Sequence, residues 1–437
     1  MKHSRPAFVN YAPVVAILVL GIASSFALSA TPSSLKPKER LQVFEEIWKS
    51  IDRYYYDPDF GGVNWRDVHQ SYLPKVRAVS DDKEFYSLMS SMTAELHDAH
   101  TRFFSPTQWE DLNKYQATSL GFRAGFVEES VVILDVTADS NAARAGVTPG
   151  MVVRAVNGKP IENALREAAG KVLRSSSQRL TRLLVLASAF SAPPETTLDI
   201  SLERADGSVL ETKIARQVIS RPPKVSSAQL PSGFGYIRFD GFQQNLNSEF
   251  KTALEDLRQM PGVVLDLRQN GGGVLTDTMP GFFFNQKTLF GIFMPRKQVG
   301  AFKRNGRTQG NQLYAGRSDG QIYSGPVVIL ISEYSGSVAE IFAAGMQDSG
   351  RATIVGSQSC GCVLGLGKSR VMKGGGVLQI SELLWLSPKK RKLEGEGVIP
   401  DVPIAPTVAS LLERRDIVLE AGEKILRELS TARPSAR

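Results

Sequence analysis

Apolar residues recur along the chain with two different periods, and the changes of period divide it into regions. Between residues 38 and 116 they follow a helical spacing, as in "ERLQVFEEIWKSIDRYYYD", which predicts amphipathic helices. From 117 to 222 short β-rich runs alternate with turns, which predicts a compact β-rich domain. Inside that domain the stretch "ALREAAGKVLRSSSQRLTRLLVLASAF" has a helical pattern and predicts a helical segment.

A third region, residues 223–405, alternates strand-like apolar runs with helical patterns. The strand-like runs are "FGYIRFD", "GVVLDLR", "PVVILIS" and "ATIVG". This alternation predicts an α/β core with a mixed, largely parallel sheet, and such sheets hold ligands beyond the carboxyl ends of their strands. Residues 406–437 add an amphipathic closing helix. The predicted fold class is therefore α/β multidomain.

The first 30 residues have the features of an export signal. Lys2 and Arg5 precede an uncharged run at 11–28, and small residues follow it. This order is typical of a secretory signal peptide. The run is also close to the length of a membrane span, about 17–25 residues, so an uncleaved anchor is the alternative. In both cases we expect the rest of the chain to lie outside the cytoplasm, in the periplasm or cell envelope.

The basic balance of the chain, +8 with a pI near 9.3, raises the question of nucleic-acid binding. The basic residues are scattered apart from two runs, at 296–307 and 388–392. We interpret both runs as solvated loops and expect no nucleic-acid partner.

The cysteine count argues against a disulfide framework and against a zinc site. Cys360 and Cys362 are the two cysteines of the chain, separated by one glycine. Two ligands are too few for zinc, so we expect no metal and no cofactor. A local disulfide in an oxidising compartment and two small loop residues remain equally good interpretations.

Ser337 follows a strand-like run and opens a helix with a buried pattern, which is a place for a nucleophile. A helix-capping serine is the plainer interpretation. The glycines of "QNGGG", Gly271 and Gly272 among them, end another strand, and their N–H groups with that of Val338 would form an oxyanion hole. A tight turn is the alternative for this run. Asp348 lies eleven residues further (348 minus 337), roughly 16 Å along a helix, too far to assist Ser337.

Five motifs, in order over most of residues 40–405, give the chain a family resemblance. They are "HDAHTRFFSP", "FGYIRFDGF", "VVLDLRQNGGG", "SGSVAEIFAAGMQDSGRATIVG" and "LEGEGVIPDV". In these motifs the chain resembles the C-terminal processing peptidases, also called tail-specific proteases, and their relatives with a tricorn-type core. The resemblance implies that residues 223–405 are a peptidase core and that Ser337 is its nucleophile.

By the same resemblance, residues 117–222 look like a PDZ domain with an enlarged helical segment. The run "SLGF" matches the carboxylate-binding loop of that domain. The resemblance implies that loop N–H groups near Leu120, Gly121 and Phe122 bind the free C-terminus of an extended peptide.

The base is where the chain departs from the tail-specific pattern. In that branch a lysine acts as base, and Cys362 stands at its position; the next lysine, Lys368, would need a rearranged loop. The resemblance to the tricorn-type branch implies His100 as base and Glu394 as its supporting carboxylate. The pKa of histidine suits proton exchange with serine. A structural His100 is the alternative, and Glu396 is the alternative to Glu394.

These observations favour an exported serine endopeptidase that acts on peptides or protein C-terminal segments through an acyl-enzyme on Ser337. The alternative is a non-catalytic binding protein, a decayed peptidase, which the replacement of the lysine by Cys362 favours. A third class, a cell-envelope anchor, leaves the site residues unexplained. The sequence does not indicate an oligomeric state.

Overall fold

The computed structural model describes four stretches of the chain: residues 34–172, 174–274, 278–316 and 322–431. The export or anchor segment at 11–28 lies outside these stretches. Among the helices of the described stretches, none combines the length and the apolar character that a membrane crossing requires.

The N-terminal region is helical, as the apolar spacing predicts. Phe44, Ile47 and Ile51 bury one face of the first helix. Asp81 accepts the N–H of Glu84 at 2.8 Å and so caps the third helix. The elements are α1 (Pro37–Tyr54), α2 (Trp65–Ala78), α3 (Asp82–Ala94), β1 (Arg102–Phe104) and α4 (Pro106–Asn113).

The next region, which we call the β-rich unit (residues 117–222), contains a sheet in the order β3-β4-β5-β7-β8, with β6 beside β5. A separate two-stranded ribbon, β2 with β9, joins the start of the unit to its end. The strands are β2 (Gln116–Ser119), β3 (Phe122–Val127), β4 (Ser130–Val136), β5 (Val152–Val156), β6 (Lys159–Pro160), β7 (Thr197–Glu203), β8 (Val209–Ala215) and β9 (Gln217–Ser220).

Three helices belong to this unit: α5 (Asn141–Arg144), α6 (Ile161–Ala169) and α7 (Gln178–Phe190). The sequence predicts one helical segment where α6 and α7 lie. The structure instead ends α6 near Gly170 and starts α7 after Ser177, whose hydroxyl accepts the N–H of Leu180 at 3.2 Å. A serine at this position competes with a continuous helix because it favours the cap.

The core region carries the predicted largely parallel sheet, in the order β10-β11-β12-β15-β16-β21. Its edge strand β10 is antiparallel to β11, and the other pairs are parallel. The fold class is thus confirmed as mixed α/β with a helical N-terminal region. The strands are β10 (Val225–Gln229), β11 (Gly235–Phe239), β12 (Val263–Asp266), β13 (Thr288–Pro295), β14 (Asn311–Ala315), β15 (Val327–Ile331), β16 (Thr353–Gly356), β17 (Leu364–Leu366), β18 (Arg370–Val371), β19 (Val377–Gln379), β20 (Ser381–Leu386) and β21 (Val402–Pro403).

Two smaller sheets flank the core, β14-β13-β20-β17 and β1-β19-β18. The second of them joins the N-terminal region to the core, because β1 pairs with β19. The remaining helices are α8 (Asn247–Asp256), α9 (Thr278–Gly281), α10 (Arg296–Asn305), α11 (Val338–Asp348), α12 (Val408–Leu412) and α13 (Ile417–Thr431).

Two sequence predictions change in the structure. The basic run at 296–307 is mostly the helix α10 rather than a loop: it buries Val299, and Arg296 donates to the carbonyl of Tyr55 at 2.8 Å. The closing stretch forms two helices rather than one. Arg414, with a φ of 55°, breaks it, and Asp416 then caps α13 by accepting the N–H of Leu419 at 3.1 Å.

Candidate active site

Ser337 lies in the turn between β15 and α11, at the N-terminal end of that helix. Its φ is 54° and its ψ is −120°, a region that residues with side chains rarely adopt. Its N–H lies 2.9 Å from the carbonyl of Cys362 and 3.0 Å from a carboxylate oxygen of Glu340. Strained backbone of this kind is concentrated at functional sites. The half-buried side chain of Ser337 therefore stands on a turn that several contacts fix.

The helix α11 is held in place by aromatic packing. Phe342 is fully buried, and its ring lies 5.5 Å from Phe242, 6.1 Å from Phe283, 6.2 Å from Phe239 and 6.3 Å from Phe290, centroid to centroid. These edge-on and tilted contacts resist rotation of the helix. Its N-terminal end carries the partial positive charge of the helix dipole, which favours an anion beside Ser337.

Glu340 organises the loops around Ser337. It is fully buried, and its carboxylate accepts hydrogen bonds from Ser337 N–H, Ser359 Oγ at 2.6 Å, Gly361 N–H at 2.7 Å and Cys362 N–H at 2.9 Å. Burial raises its pKa to about 7, and these four bonds oppose the rise. The sequence analysis missed this role, although "SVAE" has the Ser-x-x-Glu spacing that marks a helix start.

The glycine loop after β12 lies directly against residues 332–337, the turn that carries the predicted nucleophile Ser337, which we call the nucleophile turn. A side chain at Gly272, whose φ is +105°, would place its Cβ 2.6 Å from the Cβ of Ser337 and 3.0 Å from the backbone nitrogen of Val338. Glycine is therefore required there. The structure thus brings Gly272, which follows Gly271 in the same loop, next to Ser337 and Val338.

Asn270, which the sequence analysis did not single out, fixes the glycine loop. It is fully buried; its Nδ2 donates to the carbonyl of Phe239 at 2.9 Å, and its Oδ1 accepts the N–H of Gly272 at 2.9 Å. Its carbonyl accepts the N–H of Gly336 at 3.1 Å. Since the Gly272 N–H is engaged in this way, it can serve an oxyanion only by sharing or leaving that bond.

Cys360 and Cys362 form a disulfide in the loop that faces Ser337. Both are fully buried, and Cys360 N–H donates to the carbonyl of Ser335 at 2.9 Å. Ligand atoms of the two cysteines and of Glu340 lie within 4.8 Å of one another. The sulfurs are bonded to each other, however, so neither offers the thiolate that binds a metal or acts as a nucleophile.

His100 is buried near this disulfide. Ala99, the residue before it, packs in one apolar cluster with Cys360 and Cys362. The backbone N–H of His100 donates to Asp98 Oδ1 at 2.6 Å. Burial lowers the pKa of His100 to about 4, and the nearby Asp98 carboxylate opposes this.

Neither ring nitrogen of His100 has a hydrogen-bond partner among the described residues. The ring therefore bonds neither Ser337 nor Glu394 in this conformation. The structure brings the histidine close to the loop that holds the nucleophile turn, but it does not contain the hydrogen bonds of an assembled triad.

Glu394 is 5% exposed and lies on the same loop system. One carboxylate oxygen accepts the N–H of Val363 at 2.7 Å, and the other accepts the hydroxyl of Ser176. Burial raises the pKa of Glu394 to about 8, against these two hydrogen bonds. Glu396, the alternative from the sequence, is exposed.

Two other residues that the sequence analysis weighed lie away from this arrangement. Lys368 is exposed, and its carbonyl accepts a hydrogen bond from Arg370 at 3.0 Å. Asp348 ends α11, where it pairs with Arg391 at 2.5 Å.

The "SLGF" loop precedes β3, the edge strand of the β-rich unit. Gly121 has a φ of +86°, and a Cβ there would lie 2.4 Å from the Cβ of Ser140; its N–H donates to Ser119 Oγ at 3.0 Å. Leu120 is buried and Phe122 begins the strand.

The β-rich unit contacts the nucleophile turn at one place and the loop of Ser359 and Cys360 at another. Tyr334, three residues before Ser337, donates its hydroxyl to the carbonyl of Ala124 on β3 at 3.2 Å. From the start of α7, Ser177 donates to the Cys360 carbonyl and Arg179 Nε donates to the Ser359 carbonyl at 2.7 Å. The sequence analysis missed the second contact; its signal was the serine run at 175–177, which is rich in capping residues.

Two regions of the chain match known protein families. Residues 233–404 match peptidase family S41, and residues 36–94 match the tricorn protease C1 domain. The carboxyl-terminal-processing protease of Synechocystis is 24% identical over 401 residues, which covers 88% of this chain and 86% of the relative.

Two solved structures share the fold. The photosystem II D1 C-terminal processing protease has a TM-score of 0.55 at 21% identity, over 90% of this chain and 97% of that one. Mature CPAF has a TM-score of 0.68 at 13% identity, over 92% and 99%. The match over residues 233–404 shows a peptidase family S41 domain in the part of the chain that contains Ser337, and the two solved structures share its fold.

Proposed function

We propose that the protein is an exported serine endopeptidase that cleaves extended peptides or protein C-terminal segments through an acyl-enzyme on Ser337. One observation carries the proposal: Ser337 has a strained backbone at a helix N-terminus, with Gly272 packed against it. A nucleophile held on a strand-to-helix turn beside backbone N–H donors suits attack on a carbonyl carbon.

In the proposed reaction, Ser337 Oγ attacks the scissile carbonyl carbon and its proton passes to one ring nitrogen of His100. The carboxylate of Glu394 stabilises the imidazolium from the other ring nitrogen. The N–H groups of Gly271 and Val338, with Gly272 once its bond to Asn270 is shared, stabilise the oxyanion. His100 then protonates the leaving amine, and water hydrolyses the acyl-enzyme with His100 again as base.

This reaction requires a rearrangement, because the His100 ring has no hydrogen-bond partner among the described residues. Catalytic hydrogen bonds are often long or absent in free enzymes and form in the substrate complex. The proposed substrate is a peptide that adds to β3, the edge strand of the β-rich unit, with its C-terminal carboxylate at the loop of Leu120, Gly121 and Phe122. Tyr334 connects this edge to the nucleophile turn.

A second candidate function is peptide binding without catalysis. It is favoured by the same unpartnered His100 ring and by the disulfide that engages Cys362, at the position where the resemblance expects a lysine. A fluorophosphonate probe separates the two candidates. Labelling of the wild type that is lost in Ser337→Ala supports the peptidase. Absence of labelling, with retained peptide binding, supports the binding protein.

The export part of the proposal rests on the sequence of residues 1–30. Its test is a fusion of these residues to alkaline phosphatase, which is active only outside the cytoplasm. Activity of the fusion supports export, and an inactive fusion that accumulates in the cell contradicts it.

A further inference from the structure

Ser176 lies between the two segments that carry the proposed base and its carboxylate. It belongs to the segment between α6 and α7 of the β-rich unit. Its hydroxyl donates to Glu394 Oε1, and its backbone N–H donates to the carbonyl of His97, three residues before His100. Its own carbonyl lies 3.2 Å from the point where a Cβ on Gly395 would stand. A residue outside the peptidase core thus contacts both segments.

The contact with Glu394 matters because that carboxylate is buried. An ionised carboxylate that is 5% exposed loses most of its hydration, so it needs hydrogen-bond donors to remain charged. Val363 supplies one donor from its backbone. Ser176 supplies a donor from a side chain, which substitution can remove.

The other groups around Glu394 do not favour its charge. The Asp98 carboxylate, from the loop before β1, and the Glu340 carboxylate, from α11, both act against ionisation of Glu394. Arg179 of α7 directs its guanidinium to the backbone carbonyl oxygens of Ser359 and Glu396. The remaining titratable neighbours that respond to Glu394 are the phenols of Tyr55 and Tyr56, just after α1.

We propose that Ser176 is a positioning residue of the peptidase site: its hydroxyl favours the charged form of the Glu394 carboxylate and fixes its direction, while its backbone N–H holds the His97 segment at the same point. The proposal rests on the function proposed for Glu394. It assigns to the β-rich unit a part in setting the acid–base properties of the site, besides any part in holding peptides.

The test compares three variants of the full chain. Ser176→Ala removes the donor, Ser176→Thr keeps a hydroxyl, and Ser177→Ala is the matched control, since Ser177 also donates to a site loop but to a carbonyl rather than a carboxylate. The measurement is kcat for a peptide substrate from pH 5 to 10, together with Tm.

We expect Ser176→Ala to move the acidic limb of the kcat profile upward by about 1–2 pH units, the size of one charge-assisted hydrogen bond, with little change in the plateau at high pH. Ser176→Thr should restore the wild-type profile. Ser177→Ala should lower Tm without moving the limb, because it loses a helix cap.

Carbon-13 NMR of labelled glutamate provides a second measurement that does not need turnover. The Glu394 carboxyl signal, assigned by its loss in Glu394→Gln, should titrate at higher pH in Ser176→Ala than in the wild type. This comparison decides the proposal even where turnover is too slow to follow.

The outcomes separate this inference from the function on which it rests. If Glu394→Gln has a wild-type kcat profile while Ser337→Ala is inactive, the role of Glu394 fails and the inference falls with it. If Glu394→Gln is impaired but Ser176→Ala has a wild-type profile and titration, only the role of Ser176 is overturned. An equal loss of kcat at every pH in Ser176→Ala and Ser177→Ala, parallel to Tm, assigns Ser176 a purely structural role and also overturns it.

Discussion

The backbone N–H of Ser337 donates to the carbonyl of Cys362 at 2.9 Å. The residue that occupies the expected lysine position thus contacts the nucleophile through its main chain, while its side chain is engaged in the disulfide with Cys360. In the proposed reaction the activation of Ser337 therefore comes from another residue, and His100 is the candidate, since the neighbouring Ala99 packs in one apolar cluster with Cys362.

Ser337→Ala and His100→Ala are each expected to lower kcat/KM on a peptide substrate by about 10⁴–10⁶, and the double variant should be little worse, because members of one catalytic unit are not additive. Glu394→Gln should cost less, about 10²–10⁴. Lys368→Ala should behave as wild type, since Lys368 is exposed. Near wild-type activity in His100→Ala together with an inactive Lys368→Ala would instead identify a lysine as base.

Cys362→Lys is expected to lower Tm, and its peptidase activity is not expected to exceed that of the parent protein. The variant breaks the disulfide and buries an ammonium group at a fully buried position, which costs several kcal/mol unless the charge is paired. The double variant Cys360→Ala, Cys362→Ala is the control, because it loses the same bond without adding a charge. Should Cys362→Lys be active where the parent is not, the decayed-peptidase interpretation gains its support.

The stability that Glu394 contributes is expected to fall as pH rises from about 4.5 to 8. Its pKa is raised to about 8 by burial, so across this range the folded chain holds a proton that the unfolded chain has released. The stability that this proton contributes is lost completely once the pH exceeds the folded-state pKa of Glu394. Glu394→Gln should therefore show a smaller decline over this range in chemical denaturation, whatever its absolute stability.

His100 gives the opposite dependence on the acid side. Its pKa is lowered to about 4, so stability is lost as pH falls from about 6.5 through 4, where the unfolded imidazole is already protonated.

For the Glu394 prediction, an equal decline in the stability of the wild type and of Glu394→Gln between pH 4.5 and 8 would argue against a buried, protonated Glu394.

A free C-terminus on the bound peptide is expected to contribute about 1.5–3 kcal/mol, the range of hydrogen bonds to a charged group. The comparison uses full-length Ser337→Ala, which prevents turnover, and one peptide as free acid and as amide, measured by fluorescence anisotropy. Weaker binding of the amide supports the loop of Leu120, Gly121 and Phe122. Equal affinities would remove that loop from substrate recognition.

The sequence predicts the parts of the site that depend on local pattern. A strand-like apolar run ending in small residues locates Ser337, and the glycines of "QNGGG" locate the loop that packs against it. The segments that contain Val299 and Ser176 show why other features of the structure are not predicted from the sequence. The helix α10 is basic and buries Val299 as its large apolar residue, so the spacing of its apolar residues is too weak to distinguish a helix from a loop. The serine run before α7 interrupts the predicted helical segment, and two of its hydroxyl groups have partners more than 180 residues away in sequence, at Cys360 and Glu394.

The pairing of β1 with β19 has a consequence for how the chain assembles. Arg102 lies opposite Gln379, which is 277 residues later (379 minus 102). At about 5–20 residues per second of synthesis, roughly 14–55 s separate the two strands. During that time the region that carries His100 has a strand edge without its partner, and an open edge promotes aggregation. The N-terminal helices are therefore made first but gain their contact with β19 late, and the segment of His100 reaches its final position only when most of the chain has been made.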